Sequence, residues 1–246
     1  MSSGSATRTQ HAIRLLTLLR VCGEPVGGND PPGTVEVIRS EKRLQALDFW
    51  LRNPDFLADQ LVRAVKAGHI AGTYLDVAES LLTDPEPAWH HYPMPKWFYG
   101  AYESVDDAFA LLQAYGLGLI QRRGAPPRRL QNQFFLTELG AEKADELRSI
   151  PKLEWYPRQA QLVHLVAGGD SGTRLKERQY EQEAYAQAFW GENIGSIGEQ
   201  VKIELAALRA SISDVATGMN SQERESFSGQ SGLAAAGVSA VSEDDQ

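Results

Sequence analysis

The spacing of apolar residues changes period partway along the chain, and that change constrains the fold more than any other feature. Up to Tyr115 the apolar residues mostly recur every three or four positions, the period of a helix with one buried face. Residues 117–121 and 133–136 are instead short apolar runs of strand length. Between them lies Arg-Arg-Gly-Ala-Pro-Pro-Arg-Arg, residues 122–129, rich in turn formers. The pattern predicts a β-hairpin with an irregular basic tip, set in an otherwise helical chain. The fold class expected is mainly α with a small β-hairpin.

Helix signals flank the hairpin on both sides. Residues 10–22 read as a helix with His11, Arg14, Thr17 and Arg20 as one narrow polar stripe and every other position from 12 to 22 apolar, which predicts a mostly buried helix. Thr34 to Ile38 alternates weakly and reads as a short strand. Ser40 is placed to cap a helix lined by Leu44, Leu47 and Leu51. Asn53-Pro54 ends it and starts another, lined by Leu57, Leu61 and Val65. A third carries Ala71, Leu75, Ala78 and Leu82 on one face. Ser104-x-x-Asp107 reads as a capping box opening a helix with Val105, Phe109 and Leu112. Thr137 is placed to cap a helix from Glu138 to about Ser149. Beyond Pro151 the pattern predicts helices over 158–166 and 174–190, and a last one opened by Ser196-x-x-Glu199.

This reading divides the chain into a disordered start (1–9), a helical domain (10–150), a C-terminal helical segment (151–211) and a disordered acidic tail (212–246). The net charge is −8, but residues 211–246 hold six acids against one base. Residues 116–137 hold Arg122, Arg123, Arg128 and Arg129 and no acid. Whole-chain acidity is therefore a poor guide to what one face binds. The lone Cys22 excludes an internal disulfide and a cysteine-rich zinc site, and reads as a buried thiol. No apolar run approaches the roughly 18 residues that span a bilayer. The expectation is a cytoplasmic protein.

The order helix, strand, basic hairpin, strand, helix, together with Phe134-Phe135-Leu136-Thr137-Glu138-Leu139-Gly140-Ala141-Glu142-Lys143-Ala144, resembles the second wing strand and following helix of winged helix-turn-helix proteins. The resemblance covers about residues 100–150. It implies a winged helix-turn-helix unit plus C-terminal helices, with residues 104–115 as the recognition helix. The helices upstream are spaced more widely than in a compact three-helix unit of that kind. A second stretch, Arg43-Leu44-Gln45-Ala46-Leu47-Asp48-Phe49-Trp50-Leu51-Arg52-Asn53-Pro54-Asp55-Phe56-Leu57, resembles the middle component of bacterial three-component antiphage systems built around an SMC-like ABC ATPase. That resemblance implies a helical or winged-helix adaptor.

The chemistry-bearing residues point to binding. Arg122, Arg123, Arg128 and Arg129 on a β-ribbon can reach phosphates of DNA, because a guanidinium bonds phosphate bidentately and keeps its charge. The other readings of the hairpin are a contact with protein acids and a solvated loop. On the expected recognition helix only Gln113 and Tyr115 suit readout, while Asp106 and Asp107 repel phosphate. Backbone contact is therefore expected rather than sequence-specific readout. Tyr180, Tyr185, Phe189 and Trp190 mark an expected interface with a protein partner or a second copy. Trp89, Tyr92, Trp97, Phe98, Tyr99 and Tyr102 read as core, partner interface or base-stacking residues. His90-His91 lacks a third ligand at useful spacing, and His164 reads as a core histidine. Gly169-Asp170-Ser171-Gly172 reads as a turn between helices, since neither a protease nor a phosphate-loop context follows it. No nucleophile has a base beside it, so no enzyme, metal or cofactor is expected.

Overall fold

A computed structural model describes residues 8–83, 94–97, 100–124 and 130–231, the stretch from 215 onward as backbone alone. The elements follow in the order α1 (Arg8–Cys22), β1 (Glu24–Pro25), β2 (Thr34–Ile38), α2 (Glu41–Arg52), α3 (Pro54–Lys66) and α4 (Tyr74–Thr83). Then come β3 (Lys96–Trp97), β4 (Gly100–Ala101), α5 (Asp106–Ala114), β5 (Gly118–Arg123), β6 (Gln131–Thr137) and α6 (Glu138–Glu146). A single 3-10 turn (Leu147–Ser149) leads to α7 (Trp155–Ala167), α8 (Gly172–Tyr180), α9 (Glu183–Gln187) and α10 (Gly198–Ser231). The chain is mainly helical with a small antiparallel sheet, as the hydrophobic periods predict. No helix among the described residues is long and apolar enough to cross a membrane.

The expected hairpin is present and longer than its apolar runs. Strands β5 and β6 pair from Gly118 opposite Leu136 to Arg123 opposite Gln131. Strand β2 pairs with the other edge of β6, so the four-stranded sheet has the order β1-β2-β6-β5. Phe134, Phe135 and Leu136 are fully buried at its centre. Thr137 ends β6 and caps α6, its hydroxyl accepting from Gly140 N at 2.9 Å. Gly140 is required there: a Cβ would lie 1.9 Å from Leu117 O.

Several local expectations are corrected. Asn53 does not cap α3 with its side chain; its amide donates to Phe49 O at 2.7 Å and so closes α2 behind it. Ser104 accepts from Asp106 N rather than from a residue three further on, and the capping box does not form. The helix expected over 174–190 is broken into α8 and α9, because Gln182 takes an extended conformation. His164 lies on the exposed face of α7 rather than in the core. The tail expected to be disordered from residue 212 is helical to Ser231, a stretch that contains no proline to stop it. Trp89, His90, His91, Tyr92, Phe98, Tyr99, Arg128, Arg129 and residues 232–246 lie outside the described residues.

The chain divides into two units, Met1–Lys202 and Ile203–Gln246. No boundary falls at residue 150: α7 packs along α1, and α8 along α2, within the first unit. Helix α1 is apolar on nearly every side, and Leu15, Leu18 and Leu19 are wholly buried. Cys22, at its end, is buried, which pushes its thiol up to about 12.

His11, Arg14 and Thr17 of the polar stripe on α1 face inward, while Arg20 reaches the surface. Arg14 Nε donates to Asp48 Oδ1 of α2 at 2.9 Å, with both side chains about 2% exposed. Arg52, one turn on, approaches Asp48 Oδ2 at 3.5 Å and bonds Glu103, and Arg14 reaches the same Glu103 oxygen at 3.4 Å. The Gln45 amide clamps the backbone of Glu103 through its N–H and its C=O, at 3.1 and 2.6 Å. Burial alone would push the Asp48 carboxyl up; Arg14 and Arg52 outweigh it and hold it down at about 2. The stabilisation this carboxylate contributes is therefore fully present above the ordinary carboxylate range. It is lost progressively as pH falls below the ordinary value of 3.8 and through about 2. Replacing Asp48 with Ala leaves two buried guanidiniums sharing Glu103 as their one remaining carboxylate, and breaking a buried pair in this way costs about 3–5 kcal/mol. Urea denaturation of Asp48→Ala should show a midpoint lowered accordingly; an unchanged midpoint would show that the network contributes nothing.

Candidate functional site

The two arginines described in the hairpin have different fates. Successive side chains of a strand point to opposite faces. Arg123 turns toward the loop after β1, where its guanidinium donates to Asp30 Oδ1 at 2.8 Å, Asn29 O at 2.7 Å and Gln121 Oε1 at 3.0 Å. It also lies over the Phe135 ring, 5.6 Å from its centroid. Asp30 accepts from Arg39 as well, at 2.8 Å, and from Gly27 N. The Arg39 bonds, then the Gly27 N–H, hold the Asp30 carboxyl at about 2. Arg123 is thus an anchor of the hairpin, not the open phosphate contact expected of it. Arg122, on the opposite face, is exposed.

Arg122 opens onto a cleft of about 850 Å³, formed by the loop end of the hairpin strands, β4 and the N-terminal ends of α2 and α8. Lys42 and Lys176 line the same cleft, with Glu41, Tyr102, Asn132 and Thr173. Local sequence dictates how these elements meet. Ser40 and Ser171 each cap a helix, accepting from Arg43 N at 3.2 Å and Arg174 N at 3.3 Å. The two helix starts touch at Gly172, where a Cβ would lie 2.5 Å from Arg43 N. Arg43 fixes this junction from below, bonding Asp170 O and, at 3.0 Å, Gly168 O. The turn between α7 and α8, expected only to link helices, is therefore one wall of the cleft.

Lys176 is placed by a second glycine. Gly100 has φ +99, and a Cβ there would lie 2.6 Å from Lys176 Cε and 2.4 Å from the Tyr185 hydroxyl. Lys42 Nζ lies 3.3 Å from Thr173 Oγ1, one residue past Gly172. Burial first, and then the charge of Lys42, push the Lys176 ammonium down to about 8. The one acid among the described residues lining the cleft, Glu41, accepts from Asn132 Nδ2 at 3.3 Å.

The remaining expected site residues scatter. Gln113 and Tyr115 are exposed at the end of α5, but the first turn of that helix exposes Asp106 and Asp107, the latter 3.7 Å from Arg8. Tyr185 is no surface residue: it is wholly buried and accepts from Ala101 N at 2.7 Å, a bond that ties α9 to β4. Tyr180 packs on it edge to face and is 39% exposed, while Phe189 and Trp190 are 74% and 67% exposed. Trp97 is half exposed and Tyr102 borders the cleft.

One further cluster has metal-ligand character. A ligand atom from each of His11, Asp48 and Glu103 lies within 4.8 Å of the others. Both carboxylates are bonded to arginine, however, and the two guanidiniums oppose an added cation. His11 Nε2 is buried there without a hydrogen-bond partner, and burial lowers its pKa. The cluster is structural. Lys42 and Lys176 were missed by sequence reasoning because each sits in an unremarkable polar helix turn; only Gly172, read as a turn residue, signalled a close approach. Comparison with family models, with curated proteins and with solved structures finds no match.

A partly buried lysine whose pKa is lowered destabilises the folded state below that pKa. The penalty disappears as pH rises from about 8 toward the ordinary lysine value of 10.5. Lys176→Met should therefore raise stability at pH 7 by about 1 kcal/mol, after discounting for its solvent exposure. The gain should shrink at pH 10. Thermal unfolding of the variant at the two pH values checks this, and a loss of stability at pH 7 would refute it.

Proposed function

We propose that the chain is a non-catalytic module of winged-helix type that holds the nucleic-acid backbone through its wing rather than through its recognition helix. The observation that carries the reading is the sheet order. Helix α1, strand β2, helix α2, helix α5 and strands β5 and β6 occur in that order, interrupted by β1 and by α3, α4, β3 and β4, and the strands lie in the order β2-β6-β5. This order is what a winged helix-turn-helix unit would have if the α3–β4 segment were an insertion before the recognition helix, and it supports that reading. The insertion accounts for the wide spacing of the helices in the sequence. In this reading α5 is the recognition helix, and its exposed acids turn phosphate away. Arg122 of the described hairpin, with Arg128 and Arg129 of its tip, makes the phosphate contacts, while Arg123 stays on Asp30.

Three phosphate contacts give a salt slope near −0.9 × 3, so affinity for a mixed-sequence duplex should fall roughly 40-fold between 50 and 200 mM salt. Arg122→Ala should weaken binding and flatten the slope by about one contact. Arg123→Ala should leave the slope unchanged and lower the melting temperature instead. A slope that responds to Arg123 as it does to Arg122 would sink the assignment. The second reading is a structural middle subunit of an SMC-like ABC ATPase complex in phage defence, gripping protein instead of DNA. It is favoured by the acidic start of α5 and by the exposure of Phe189 and Trp190. Failure to bind duplex at 50 mM salt would select it.

A further inference from the structure

The cleft beside the wing has a composition that backbone contact alone does not call for. Three cations reach it from three separate elements: Lys42 from α2, Lys176 from α8 and Arg122 from β5. The two lysines line the cleft together and feel each other's charge, and Glu41, the acid among the described lining residues, is engaged by Asn132. Gathering like charges in a partly desolvated recess works against folding. Two glycines are nevertheless committed to it, Gly172 joining the helix starts and Gly100 making room for the Lys176 stem. Net of Glu41, the described lining residues carry about two positive charges.

We propose that this cleft binds the phosphate monoester group of a ligand, carried either on the end of a nucleic-acid strand or by a free nucleotide. A monoester at pH 7 carries a charge of about −1.5 to −2, which matches the lining. A phosphodiester, with one charge, does not. Arg122 offers a planar fork to two oxygens, and Lys42 and Lys176 act as point charges on the others. The Thr173 hydroxyl and the first turn of α8 lie beside them and add donors of the right polarity. The recess is of a size that takes a mononucleotide. Tyr102 and Gln131 on its rim offer an aromatic edge and an amide to whatever bears the phosphate. The proposal rests on the nucleic-acid reading only for the first of its two sources.

The test uses the full chain and four probes: a single-stranded oligonucleotide with a 5′-phosphate, the same strand with a 5′-hydroxyl, adenosine 5′-monophosphate, and adenosine. Fluorescence anisotropy reads the strands and calorimetry reads the nucleosides. The phosphorylated member of at least one pair should bind ten times more tightly than its partner. A preference confined to the strands identifies the strand end as the ligand, and a preference in both pairs identifies the nucleotide. Lys42→Gln with Lys176→Met should erase the difference; the double variant removes a repulsion, so it should fold at least as well as the parent. Equal affinities within both pairs, or a preference that survives the double variant, would overturn the proposal. A hairpin duplex without terminal phosphate, measured alongside, keeps the outcomes apart. Its failure to bind removes the wing reading while leaving the monoester preference to stand or fall by itself.

Discussion

The buried ion network of Arg14, Asp48, Arg52 and Glu103 is the interaction on which the rest of the structure depends. It fastens α1 to α2 and fixes the chain just before α5, so three helices of the first unit share one charged joint. The joint is costly to desolvate, and it is stable because nearly every lone pair and donor is matched. Asp48 accepts from both arginines, and the Gln45 amide satisfies the Glu103 backbone. A purely apolar joint would hold the helices as strongly but would leave their relative slide open. The ion pairs fix it, and with it where α5 meets the sheet and where the N-terminal end of α2 points.

From that joint outward, position is set by close backbone approaches. Gly140 lets α6 fold back against Leu117, which seats the hairpin. Gly172 brings the start of α8 onto the start of α2, and Gly100 leaves room for Lys176 and the Tyr185 hydroxyl in the same neighbourhood. The cleft exists because those contacts admit no side chain. Its charge follows from position too: the alternation of β5 sends Arg122 to the cleft and Arg123 to Asp30. Adjacent identical residues thereby do different work, one held by a buried carboxylate and one left to solvent.

Much of the framework was legible beforehand. The change of period at residue 117 marked the hairpin, Ser40 and Thr137 marked two helix starts, and the narrow polar stripe of residues 10–22 marked a buried helix. The errors share a cause. Asn53, Ser104 and Gln182 sit where two elements meet, and there the backbone conformation answers to packing rather than to capping preference. Tyr185 was taken for a surface residue because an aromatic in a polar helix can face either way. Only the backbone N–H of Ala101, far off in sequence, decides that it faces in.

The sequence by itself determined most of the helical segments before residue 170, where the hairpin lies and that its connecting stretch is basic, because period, turn chemistry and charge are properties of neighbours along the chain. Tertiary structure alone decided that Arg123 is neutralised by Asp30, that the polar stripe of α1 ends in a buried ion network, and that Lys42 and Lys176 face one cleft. Each of these joins residues far apart in sequence. Electrostatic attraction and repulsion depend on distance in space, and that distance is set only when the helices have packed.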